Sequence, residues 1–564
     1  MIKDTRVKAL ADDIFAYINK DCSFLDIMNG NFSQGTLPDL SLEKLLKNEA
    51  FAKKIRDIID KLRNAKLDHY DEMMMEIMDY FASSNFSMGL MPPLSKYYYL
   101  DFAVTPYSCI LPYLDNLRLI KLKDKNDIKT YTNTIMQYPR LVRQIKDKTV
   151  EQAKQGIFLP IEEGQLVLNM LKTAAQPLEK HPLHLSDSRV SHIPGDHTVF
   201  MENVAQSITT GVQILNELIS FLNSEDYKQN QKMTVGLSQY PEGVDYYNFL
   251  VKYHLHYDIE PEEINKLGWE QINIIESRME EIRKSLGYDC TRAEFKEIIK
   301  KMPDLYEKTR EGIGQRMTDY LERIKPVMNN YFDKMCKTDC EVVQLPIEKE
   351  QAMTFGYYSI PSAAQPKGQY LYNSSNHEEK NQISCGALVY HELIPGHHYQ
   401  INLSLENETL HPLFRTMILT AYTEGWAEYS AALAGEMGMY KSPLDEYGRL
   451  AMDLFLTTRL VIDTGMNAFG MTREEAAKLL KENSDWHDDM IFSETNRYAN
   501  DIPAQALGYK FGSVMMSKIR EKAKNALGDK FDFREYHTHV LELGAVPLNI
   551  LEKHIDWYIE QKLN

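Results

Sequence analysis

The stretch 387-ALVYHELIPGHHYQ-400 decides how the chain is read. It opens like the zinc-peptidase pattern HExxH, with His391 and Glu392, but Pro395 stands where the second histidine belongs, and the next imidazoles are His397 and His398. On a regular helix, residues four apart lie one turn apart on one face, so two such histidines can share an ion through bonds of about 2 Å. A residue six along is rotated roughly 240° onto the wrong face, and one seven along sits about 10 Å up the axis. Neither His397 nor His398 can partner His391 on a straight helix. Pro395 removes the amide that would bond the carbonyl of His391, and its ring clashes with that carbonyl. Gly396 tolerates the angles that a distortion requires. A two-residue bulge presents His397, the favoured register; a three-residue bulge presents His398.

A further ligand is offered by 420-TAYTEGWAEYSAALAGEMGMY-440, where Glu424 and Glu428 lie one turn apart on a helix otherwise rich in Ala, Tyr and Trp. Carboxylates on such a helix are costly to bury unless paired or metal-bound. Two histidines and a downstream Glu form a catalytic zinc set that leaves a fourth position for water. Glu428 then reads either as a surface acid or as a partner that orients a ligand. Glu392, beside the first histidine, is placed to act as general base.

Working outward, 339–375 breaks short β-branched and aromatic runs with Pro and Gly, which predicts two or three strands, GQYLYN the clearest. An edge strand next to a zinc helix is a natural partner for a peptide backbone. The rest reads as helix. Residues 261–287 open on Pro261 and two acids and stop at Gly287; Thr291 with Glu294 and Thr472 with Glu475 are capping boxes; 445–465 reads as a largely buried helix. The histidines His181, His184, His192 and His197 fall in a Pro-containing loop and read as turn residues, and His254 and His256 alternate near a helix connection.

The ordered set HELIPGHHYQ, EGWAEY, RLVIDTG and RYANDIPAQALGYKFG resembles a bacterial family of HExxPGHH proteins classed as a domain of unknown function. That family looks like a branch of the gluzincin metallopeptidases, distantly similar to the angiotensin-converting-enzyme-like peptidyl dipeptidases and thimet-type oligopeptidases. The likeness runs over nearly the whole chain, including IEPEEINKLGWEQI near 259–272 and LELGAVPLNILE near 541–552. It implies a mainly α, zincin-like peptidase fold with a small β-sheet next to the zinc-binding helix. It also implies His391, His397 and Glu424 as ligands of one Zn2+ and Glu392 as the base. Along 494–512 it implies a substrate side made by Arg497, Tyr498, Gln505, Tyr509 and Lys510. Tyr509 is the candidate for stabilising the oxyanion, and Arg497 or Lys510 for meeting a peptide's C-terminal carboxylate. The sequence departs from the family pattern at Ala504, where Gly is usual, and at Met466–Asn467, where a His usually follows DTG.

The chain has 564 residues, 43% hydrophobic and 26% charged, enough for a sizeable core. Its formal charge of −17, from 64 basic and 81 acidic residues with no basic block, argues against nucleic acid or an anionic membrane as partner. Six scattered cysteines fit reduced thiols, with Cys336 and Cys340 forming an uninformative CxxxC. The opening MIKDTRVKALADDIFAYINKD lacks the apolar core of a signal peptide, which favours the cytoplasm unless residues precede Met1. The expectation is one large helical unit over 1–564, with 1–240 forming one wall and 241–564 bearing the zinc site around a channel for short peptides. Two alternatives stay open: a zinc hydrolase of non-peptide amides, and a helical binding protein whose zinc apparatus has decayed. Oligomeric state is not readable.

Overall fold

Helix starts written in the sequence are made by the caps expected there. Thr291 and Thr472 each accept the amide of the Glu three residues on, and Glu294 and Glu475 accept the threonine amides in return. Pro261 occupies the first turn of a 25-residue helix that ends at Ser285, with Gly287 left-handed at φ +86° just beyond. The computed structural model describes residues 1–20, 32, 35–83, 95–106, 109–347, 350, 356–362 and 365–564. Cys22 and part of the strand-rich stretch (348–349, 351–355 and 363–364) lie outside them.

The protein is mainly helical with one small sheet. Its contacts divide it into two units. One comprises Lys3–Tyr246 with Asn496–Pro503. It carries α1 (Thr5–Ile18), α2 (Leu42–Leu62), α3 (His69–Ser83), α4 (Lys125–Ile135), α5 (Tyr138–Lys154), α6 (Ile161–Ala174), α7 (Thr198–Leu222) and α8 (Glu225–Asn230). The apolar stripe of α7, from Phe200 through Val204, Ile208 and Leu215 to Leu222, is buried at the three-to-four spacing of a core-facing helix.

The other unit comprises Met1–Ile2, Tyr247–Thr495 and Ala504–Asn564. After α9 (Gly243–Leu255) it runs through α10 (Pro261–Ser285), α11 (Arg292–Ile299) and α12 (Arg310–Ile324) to the sheet. The strands β1 (Cys340–Gln344), β2 (Gly356–Ser359) and β3 (Gly368–Tyr372) stand in the order β1-β3-β2. The GQYLY strand is central: β1 pairs with it in parallel and β2 antiparallel, with Tyr358 opposite Tyr370. Beyond the sheet come α13 (Cys385–Glu392), α14 (His397–Glu406), α15 (Pro412–Arg415), α16 (Thr420–Glu436), α17 (Pro443–Ala468), α18 (Arg473–Glu482), α19 (Asp488–Asn496), α20 (Leu507–Leu527), α21 (Phe533–Leu541) and α22 (Leu548–Leu563). Every residue of α17 from Leu454 to Asn467 is buried. Among the described residues no helix is long and apolar enough to cross a membrane.

The EGWAEY motif lies on α16 and the ALGYKFG motif on α20, and these helices touch backbone to backbone. A Cβ at Gly425 would lie 2.5 Å from the Cα of Gly512, and one at Gly512 would strike the carbonyl of Ala421. No side chain intervenes, so nothing can give way cheaply. Gly512→Ala is therefore expected to lower unfolding free energy by about 1–3 kcal/mol through overpacking, read from denaturant midpoints; an unchanged midpoint would refute the close contact.

Candidate metal centre

The HELIPGHH segment departs from the expected bulge in a definite way. Helix α13 ends at Glu392, residues 393–396 are non-helical, and α14 begins at His397. The chain breaks and restarts where a distorted but continuous helix was expected. The reason lies in the amides. Leu393 still donates to Val389 at 2.9 Å, but Pro395 has no amide to give His391. The amide of Tyr399 reaches back to Leu393 at 3.3 Å, and the regular ladder resumes with Gln400 on Gly396 at 3.1 Å. The Ile394–Pro395 peptide is cis. Gly396 lies directly on the carbonyl of His391, where a Cβ would collide. The chain thus folds back over its own last turn and returns His397 to the neighbourhood of His391.

The two imidazoles stand nearly perpendicular, at 85°, with centroids 4.6 Å apart. From α16, Glu424 Oε2 lies 3.5 Å from His391 Nε2 and 3.3 Å from His397 Nε2. That oxygen is buried without a hydrogen-bond partner among the described residues. Tetrahedral zinc bonds of about 2.0–2.1 Å set ligand atoms roughly 3.3–3.4 Å apart. The observed separations match that edge, and an orphaned buried carboxylate oxygen is costly unless something binds it. These three residues fit a metal ion. One turn along α16, Glu428 accepts a hydrogen bond from His391 Nδ1 at 2.6 Å, fixing the ring from behind.

Electrostatics follow from burial and charge. Burial would raise the Glu424 carboxyl, but the facing His397 and His391 hold it well below the usual carboxylate range. Burial would lower His391, yet Glu424 and Glu428 hold its imidazole well above its ordinary value. Glu392 is buried beside both histidines; desolvation raises its carboxyl, offset only in part by His391 and His397. The backbone of Tyr358, on the edge strand β2, lies close enough to lower that carboxyl in turn.

His398, the alternative ligand, is engaged elsewhere. Its Nε2 donates to the Thr338 carbonyl at 3.0 Å, and its Nδ1 accepts the Tyr358 hydroxyl at 3.0 Å. Of the substrate-side candidates, Tyr509 comes to the site: its ring lies parallel to that of His391, at 8° and 6.2 Å. The Arg459 guanidinium covers the Tyr509 ring at 4.9 Å and is itself held by Glu494 at 3.1 Å. Gln505 is half-buried just before α20. Lys510 is buried and gives its charge to Asp453 at 2.7 Å, so it pairs within the protein where a substrate carboxylate was expected. Arg497 and Tyr498 belong to the other unit, in a turn of π-helix over Arg497–Asp501, with the guanidinium 5.0 Å above the Tyr498 ring. Sequence reasoning overlooked Arg459, Tyr358 and Trp426.

A second group, His539, Glu542 and His554, also gathers metal-ligating atoms. Its distances differ in kind. Glu542 Oε1 accepts His539 Nδ1 at 2.6 Å and His554 Nε2 at 3.0 Å, which are hydrogen-bond lengths. Those two bonds outweigh burial and hold the Glu542 carboxyl down to about 2. The loop histidines His181, His192 and His197 each turn a ring nitrogen to a backbone carbonyl. His254 and His256 are buried, and desolvation lowers both to about 3.

A family model described as "Bacterial protein of unknown function (DUF885)" matches residues 25–555. A structure from Colwellia psychrerythraea, described as a "putative lipoprotein", is 26% identical with a TM-score of 0.84, over 98% of this chain and 99% of that one. Another from Shewanella oneidensis, described as a "putative lipoprotein of unknown function", shares the fold at 15% identity and a TM-score of 0.73, over 97% of this chain and 99% of that one. No curated protein matches the chain.

The departure at Ala504 has a structural cost. Its φ is +68°, a left-handed conformation that glycine adopts freely, and its amide is held there by Asp463 at 3.0 Å. Ala504→Gly should relieve roughly 1 kcal/mol of backbone strain and raise the unfolding midpoint; a lowered midpoint would show that the strain is met elsewhere.

Proposed function

We propose a function for a chain that belongs to the DUF885 family of bacterial proteins of unknown function: it is a zinc-dependent metallopeptidase of gluzincin type that hydrolyses short peptides. One observation carries the reading. Glu424 Oε2 is buried, has no hydrogen-bond partner among the described residues, and faces two imidazole nitrogens at 3.5 and 3.3 Å, the spacing of ligands around a tetrahedral ion.

In this reading His391, His397 and Glu424 hold one zinc ion. Zinc, when bound, supplies Lewis acidity that lowers the pKa of a water towards ~7 and polarises a carbonyl. Glu392 takes the proton of the attacking water and returns it to the leaving amine. Its burial suits this, because desolvation raises the carboxyl and makes it a better proton acceptor than an exposed one. The Tyr509 hydroxyl donates to the carbonyl oxygen as negative charge develops there. Arg459 keeps the phenol ring in place by lying across its face. Edge strand β2, whose Tyr358 backbone lies beside Glu392, offers its backbone to an extended substrate.

Metal analysis of the purified protein should give about one zinc per chain, lost in His397→Ala and kept in His398→Ala. Loss in His398→Ala alone would overturn the ligand set, and a metal-free protein after growth with zinc would end the proposal. Glu392→Gln should keep its zinc and lose peptide hydrolysis by about 10²–10⁴-fold; unchanged turnover on a panel of short peptides would remove Glu392 from its role. Activity confined to non-peptide amides would keep the chemistry and change the substrate class.

A further inference from the structure

The break between α13 and α14 leaves the Pro395 carbonyl unanswered by its own segment. In a continuous helix the carbonyl of Pro395 would accept the amide of Tyr399, but that amide is spent on Leu393. The Pro395 carbonyl instead accepts the indole N–H of Trp426 at 2.8 Å and the hydroxyl of Ser430 at 3.2 Å. Both donors are fully buried, and both lie on α16, the helix that also supplies Glu424 and Glu428. Trp426 is wedged among Phe332, Tyr429 and His537, with ring centroids at 6.3, 5.5 and 5.8 Å. His537 is itself fixed by the Tyr429 hydroxyl and the Tyr331 carbonyl.

The two candidate histidine ligands are not held alike. Glu428 steadies the ring of His391 through Nδ1, whereas His397 Nδ1 is buried with no hydrogen-bond partner among the described residues. The ring of His397 is therefore placed by its backbone, two residues beyond the anchored carbonyl. We infer that Trp426, assisted by Ser430, is a positioning residue: by holding the Pro395 carbonyl it sets where α14 restarts and so brings His397 to the ligand point facing His391 and Glu424. The α16 helix then fixes the site through two pairs, Glu424 with Glu428 on the imidazoles and Trp426 with Ser430 on the turn. This inference rests on the proposed zinc site.

The test is zinc release, followed with a chromogenic chelator on the zinc-loaded full chain, for the wild type, Ser430→Ala, Trp426→Phe and the double variant. Tyr422→Phe serves as control. It removes a buried hydrogen bond to the Val540 carbonyl from the same helix without touching the turn. Release should quicken by about 10-fold in Trp426→Phe and further in the double variant, as for other groups that orient ligands. In Tyr422→Phe it should stay at the wild-type rate even where thermal stability falls. Release within about twofold of wild type in the double variant, or an equal change in Tyr422→Phe, overturns the inference while leaving the zinc site standing. Ser430→Ala, a change of one oxygen, keeps the test open should Trp426→Phe not fold: a wild-type release rate in that variant then counts against it. A wild type that holds no zinc removes the proposed function and the inference together.

Discussion

A missing amide hydrogen at Pro395 is the constraint on which the rest of this unit depends. Without it the carbonyl of His391 has no helical donor, the helix ends at Glu392, and the chain is free to turn back upon itself. Gly396 makes the return close, because only a residue without Cβ can rest on that carbonyl. The two residues that would ruin an ordinary HExxH helix therefore carry the geometry. Six residues of sequence separation collapse to imidazoles 4.6 Å apart.

Helix α16 supplies the other side of the arrangement. It is apolar and most of its residues are buried, so a carboxylate on it is costly without a partner. Glu428 finds one in His391 and Ser430 in the Pro395 carbonyl. Glu424 Oε2 instead faces two imidazole nitrogens at 3.5 and 3.3 Å with no hydrogen bond to it among the described residues. The His539–Glu542–His554 group shows what a carboxylate between two histidines looks like when hydrogen bonds satisfy it, and the contrast in distance separates the two groups.

Much of this was legible in the sequence, and the illegible parts share a cause. Caps at Thr291 and Thr472, the helix begun by Pro261 and the buried run of α17 depend on local spacing, and local spacing is visible. Two or three strands were expected and three are found among the described residues, but their order could not be read, because pairing β1 with β3 in parallel is a long-range choice. The disruption at Pro395 and Gly396 was evident, yet its extent was not: the Pro395 carbonyl is met by Trp426 and Ser430, 31 and 35 residues on, which local spacing does not reveal. His398 was a rival to His397 until Tyr358 and Thr338 were seen to occupy both its nitrogens. Lys510 looked like a group for substrate until Asp453, 57 residues earlier, took its charge.

The contact of Gly425 with Gly512 bears on how precisely the site can be held. Most packed helices are separated by a layer of side chains that hop between rotamers and absorb small displacements. Here no such cushion lies between Gly425 and Gly512, so at that point α16 and α20 have little room to shift against each other. Glu424 stands one residue before one glycine and Tyr509 three residues before the other. The spacing between carboxylate and phenol is thereby inherited from covalent geometry and van der Waals radii, the least compliant rulers a protein has.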